Sequence, residues 1–190
     1  MKRILIASVF VLLLVVAGLY MYERYNPFTY YDDKVHVHSD FVIIINDQKI
    51  DLTAEKYQSS AESIRHKNVH LHDGDDTVVH RHADGITFAE FLGSLNFTLN
   101  DQCLRNDNGE EYCTDKTNTL VLFVNGEVEE DIDMYIPQEE DRILLYYGPK
   151  DNPHLNDYLE SVTDEACIFS GTCPERGVAP PESCGLTCEI

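Results

Sequence analysis

The sequence predicts an α+β domain over residues 35–149, a small mixed sheet in hairpin–helix–strand order, preceded by one transmembrane helix and followed by a disulfide-rich tail. Three observations carry that prediction. From Val35 apolar and polar residues alternate, the period of a strand with one buried face. Thr87-Phe88-Ala89-Glu90 has the form of a capping box, in which hydroxyl and carboxylate satisfy the free amides of a helix start. Asn125-Gly126 stands between two strand-like runs, a strong hairpin signal because both residues tolerate positive φ.

The first element is the apolar run from Ile4 to Tyr22, behind Lys2 and Arg3 and uncharged until Glu23. It is about long enough to cross the hydrocarbon core as a helix. The basic residues predict a cytoplasmic amino terminus, so residues 1–22 read as a single-pass anchor and the rest as extracytoplasmic. A cleaved signal peptide is the rival reading, with Val15-x-Ala17 as the cleavage site. Tyr20 and Tyr22 at the far end favour an uncleaved anchor, since tyrosine suits the interface. Residues 23–34 form a juxtamembrane spacer interrupted by Pro27.

In the next segment Val35, Val37, Phe41, Ile43 and Ile45 share one strand face, and His36, His38 and Asp40 share the other. Asn46-Asp47 predicts a tight turn and Lys49 to Leu52 the return strand. Residues 53–68 are polar, with a helical turn expected around Ala61 to Arg65. Val69 to Ala83 reads as a second hairpin turning at Asp73-Gly74-Asp75-Asp76. Phe88, Phe91, Leu92 and Leu95 follow the capping box at helical spacing. Leu120 to Val124 and Arg142 to Tyr147 are the remaining strands, the last ended by Gly148-Pro149. In residues 150–190 Pro153 is expected to open a short helix to about Val162, followed by an irregular tail.

Residues 84–148 resemble the sulfur-carrier branch of the β-grasp fold. The resemblance lies in Gly85-Ile86-Thr87-Phe88-Ala89-Glu90-Phe91-Leu92, Phe123-Val124-Asn125-Gly126-Glu127 and Glu140-Asp141-Arg142-Ile143. It covers about a third of the chain and implies a fold only. Sulfur carriers end in a free Gly-Gly tail, whereas this chain continues past Gly148.

Charge narrows the function classes. The chain holds 34 acidic and 14 basic residues, a formal net charge of −20, and only Lys2 and Arg3 of the basic ones precede the apolar run. Such a field disfavours nucleic acid and anionic lipid surfaces and concentrates cations. It also serves solubility. The six cysteines of an exported chain favour disulfides over thiols. Cys103 and Cys113 flank Asn106-Asp107-Asn108-Gly109, a turn that would bring them together across a hairpin. Cys167, Cys173, Cys184 and Cys188 crowd the tail, where two disulfides are favoured over a four-thiolate zinc site. No Cys-x-x-Cys supports thiol–disulfide chemistry.

Histidine spacing is the strongest functional signal. Eight histidines would give roughly a third of one His-x-His pair by chance, on composition alone. The chain has three: His36-Val37-His38, His70-Leu71-His72 and His80-Arg81-His82. On a strand, i and i+2 project from one face, so each pair can share a cation. If the second hairpin closes symmetrically about Asp76, His72 faces His80 and His70 faces His82, all on one face. A neighbouring first strand would add His36, His38 and Asp40. Imidazole and carboxylate ligands without soft sulfur donors point to Zn(II) or Cu(II). Asp73, Asp75, Asp76 and Asp84 either orient imidazoles from behind or build the turn.

The expected function is a membrane-anchored metal scavenger, buffer or delivery module. A zinc metalloenzyme is the alternative. Its His-x-His plus third histidine resembles, in spacing only, the zinc site of the large carbonic anhydrase family, which implies His70, His72 and His80 as ligands and Asp73 or Asp84 as helper. A pH sensor or a metal-stapled structural module are further readings. His66 and His154 read as structural.

Overall fold

The computed structural model describes residues 35–60 and 62–180. The 4–22 anchor, the spacer, Cys184 and Cys188 lie outside the described residues. Among those described, no helix is long and apolar enough to cross a membrane.

The domain is α+β, with a mixed sheet of eight strands and a small antiparallel one of three. Strand β1 (Val37–Ile45) turns through Asn46 and Asp47, both at positive φ, into β2 (Gln48–Lys49). The expected return strand at Lys49 to Leu52 is thus shorter and earlier. Its pairing is nevertheless prolonged by Ile50 N–H donating to Ile43 O. A 3₁₀ turn at Glu55–Tyr57 leads into β3 (Gln58–Ser59). The helical turn expected around Ala61 to Arg65 is absent among its described residues. There the Ser60 hydroxyl takes the Glu62 and Ser63 amides and the Ser59 hydroxyl takes that of Arg65, a local alternative to helical bonding.

Strands β4 (Val69–His72) and β5 (Val78–Arg81) form the second hairpin. The helix α1 (Phe88–Ser94) then starts at the Thr87 capping box, with Glu90 N–H donating to Thr87 Oγ1 and Thr87 N–H to Glu90 Oε2. The small sheet follows as β6 (Thr98–Leu99), β7 (Cys103–Arg105) and β8 (Glu111–Cys113). Cys103 and Cys113 pair across it and are joined by a disulfide, as the turn between them predicts.

Strand β9 (Asn118–Val124) turns at Asn125-Gly126 into β10 (Glu127–Glu129), and β11 (Arg142–Pro149) closes the sheet. Gly148 and Pro149, expected to end the last strand, remain paired with Thr119 and Asn118. Proline is tolerated there because it falls at a strand end. The sheet order is β10-β9-β11-β1-β5-β4-β3, with β2 also on β1. Strand β1 runs parallel to β11 and antiparallel to β5, so its central residues are covered on both edges.

Both faces of β1 are also covered. Phe41, Ile43 and Ile45 join Val69, Leu71, Val79 and the α1 residues Phe88, Phe91 and Leu92 in the main core. On the opposite face Val42 and Ile44 pack with Leu144, Tyr146 and Val162 beneath helix α2 (Leu155–Ser161). The helix begins two residues after Pro153, because Asn152 Oδ1 first accepts the His154 amide and holds a turn. A second short helix, α3 (Ala166–Ser170), forms in the tail expected to be irregular. Cys167 within it is bonded to Cys173, excluding these two from a four-thiolate site.

Candidate metal centre

Strand adjacency assembles the histidines. Strand β5 lies between β1 and β4, with His38 opposite His80 and His80 opposite His70. These three therefore form one row across three strands. His38 in β1, His80 in β5 and His70 and His72 in β4, with His36 just before β1 and His82 just after β5, have the same parity, and the ring contacts bring all six to one face.

The second hairpin differs in register from the symmetric closure about Asp76. Val69 opposes Arg81 and His70 opposes His80, a shift of two residues. The loop causes it: Asp75 Oδ1 accepts from Thr77 N–H and Oγ1 and from Val78 N–H, while Asp73 and Gly74 adopt positive φ. That reserves five residues for the turn. A shift of two keeps parity, so the histidines stay on one face although the predicted partners change.

The rings lie close together. His36 is 4.6 Å from both His38 and His82, His38 is 4.8 Å from His80, and His72 is 4.0 Å from His80, centre to centre. One ligand atom from each of His36, His38 and His80 falls within 4.8 Å of the others, a group that could hold a metal ion. In the combination His70, His72 and His80, implied by the carbonic anhydrase-like spacing, His72 lies 4.0 Å from His80, while His70 lies 5.8 Å from His72 and 6.3 Å from His80.

Three rings are held from behind. His72 Nδ1 lies 2.8 Å from Asp73 Oδ2 and His70 Nδ1 lies 3.0 Å from the His66 carbonyl. His38 Nδ1 lies 3.0 Å from Ser170 Oγ, whose hydroxyl donates to Glu139. Each oxygen accepts the Nδ1 proton, which places the lone pair of a neutral imidazole on Nε2. Outer hydrogen bonds of this kind orient metal-binding histidines and raise their basicity. His72 Nε2 is buried and has no hydrogen-bond partner.

Asp40 has a different task. Its carboxylate accepts from Thr163 Oγ1, Glu165 N–H at 2.7 Å and Ala166 N–H at 3.0 Å. It therefore anchors the start of α3, and it is not part of the three-histidine group. Asp75 and Asp76 serve the turn and an ion pair with Lys49, and Asp84 pairs with Arg81.

Helix α3, so anchored, covers the site. Phe169 stands edge-on to His80 at 5.0 Å and 5.7 Å from His38. Phe169, Ser170 and Glu139 are not legible in the sequence, since nothing local links them to His38 and His80, which lie far earlier in the chain. The His66 main chain supports His70. The His66 Nδ1 accepts from Asn68 N–H, and burial pushes its pKa below the usual imidazole value. His154 pairs with Asp157 at the surface.

Compared with family models, curated proteins and solved structures, the chain matches none. The functional reading rests on the site.

Proposed function

We propose that this chain is a membrane-tethered, extracytoplasmic transition-metal binding protein that takes up Zn(II) or Cu(II) reversibly, as a scavenger, buffer or delivery module. The convergence of His36, His38 and His80 carries the reading. Neutral imidazoles suit these ions, and the acidic domain around them raises the local cation concentration. The apolar run at residues 4–22 supports the tether, and the two disulfides agree with an oxidising compartment.

A β-grasp relationship is the finer reading of the fold. The order β2-β1-β11-β9-β10, with β1 and β11 parallel and α1 on one face, supports it. Strands β3 to β5 would then be an insertion between the first hairpin and the helix.

The test is elemental analysis and competition titration of the full chain, purified in detergent without a histidine tag. Bound Zn(II) or Cu(II), or uptake at sub-micromolar free metal, is expected. A chain that carries neither and binds neither more tightly than micromolar ends this reading.

The metalloenzyme alternative draws on the three-imidazole group, which would leave a tetrahedral zinc one open position for water. Phe169 over His80 and His38 argues for storage rather than turnover. Carbon dioxide hydration or ester hydrolysis by the zinc-loaded chain, lost on His80→Ala, would reverse that preference.

A further inference from the structure

We infer that the histidine face holds two metal ions, the second among His70, His72 and His82. This rests on the metal reading and goes beyond it in number and ligand set. Ligand supply is the first reason. A four-coordinate ion satisfied by His36, His38 and His80 accepts at most one more imidazole. The face presents six, five of them buried and His36 partly so.

Orientation is the second reason. His70 and His72 project from β4, the far side of β5 from His36 and His38. Their Nδ1 atoms are tied to the His66 carbonyl and to Asp73. These bonds point the Nε2 lone pairs away from the anchoring groups, as metal ligands require. His82 comes within 4.9 Å of His70, and His72 within 5.8 Å, centre to centre. His70 thus neighbours both, and His72 also lies 4.0 Å from His80.

His72 supplies the third reason. It lies outside the first group, is 1% exposed, and its Nε2 has no hydrogen-bond partner. A buried acceptor left so carries a desolvation cost. A cation at this position removes that cost and uses the lone pair that Asp73 has set. The two ions would lie between adjacent strand pairs, about one strand spacing or ~4.8 Å apart.

Titration of the untagged full-length chain with Cu(II) and with Zn(II), read by elemental analysis after gel filtration, should give two ions per chain. One ion overturns the inference while leaving the metal reading intact, and none removes both. Electron paramagnetic resonance of the doubly Cu(II)-loaded chain should show a magnetically coupled pair, with a half-field transition or reduced signal intensity. Two uncoupled cupric signals of full intensity overturn the shared face. The His72→Asn and His38→Asn variants should each bind one ion. Two ions retained by His72→Asn count against the second site, and the wild-type measurements stand whether or not either variant folds.

Discussion

Strands β1, β4 and β5 have two faces that are equally buried and chemically opposite. Leu71 and Val79 on one, and His70 and His80 on the other, are all 0% exposed, so burial does not distinguish them. Partners do. The apolar face fills space against α1 and gains from every contact made. The imidazole face must satisfy each nitrogen, and it does so through Asp73, Ser170, the His66 carbonyl and, on the present reading, metal. The first face sets stability and tolerates conservative change; the second, on the proposed reading, sets a binding function and does not.

The comparison breaks most sharply if the faces are disabled separately. Replacing His36, His38 and His80 together by alanine should lower Zn(II) or Cu(II) affinity by more than about 10⁴-fold, or ~5.5 kcal/mol, measured by chelator competition. If affinity holds, the imidazole face has no special role. Phe91→Ala, under the apolar face, should cost about 3–5 kcal/mol in denaturant unfolding of the apo chain. Its metal stoichiometry should be unchanged.

Removing support rather than ligand gives an intermediate effect. Asp73→Asn keeps the shape at His72 and weakens the acceptor, so metal affinity should drop by about 10–100-fold. Thr87→Ala removes the cap of α1 and should cost about 1 kcal/mol with metal binding untouched. A change in metal affinity here would mean that the two faces are coupled through β4.

The smallest effect concerns pH in the apo chain. Burial lowers the His66 pKa, and its Nδ1 accepts a backbone N–H. The unfolded chain therefore takes up the proton first, so stability is retained above about pH 6.5 and declines as pH falls toward the folded pKa. Urea unfolding in chelator at pH 7.5 and 5.5 checks the sign. Replacing His66 by Gln should flatten this part of the slope.

Local patterns were legible because their causes are local. The Thr87 capping box, the Asn46-Asp47 and Asn125-Gly126 turns and the Cys103–Cys113 pair depend on residues within about ten positions of one another. The register of the second hairpin departs from symmetric closure because Asp75, rather than Asp76, organises its turn. The helix in the tail is not legible locally because α3 owes its position to Asp40, more than 120 residues earlier. That same bond gives Asp40 a role other than the metal-ligand role its spacing suggested.

The sequence by itself determined that the paired histidines would share strand parity, since a strand's side chains alternate with period two whatever lies beside it. Even a two-residue change of register left that intact. Only the tertiary structure decided which histidines meet, because that depends on β5 inserting between β1 and β4. It also decided that Phe169 and Ser170 close over them. Adjacency of strands and docking of a helix arise from burial summed over the whole domain, and no short stretch of residues encodes that sum.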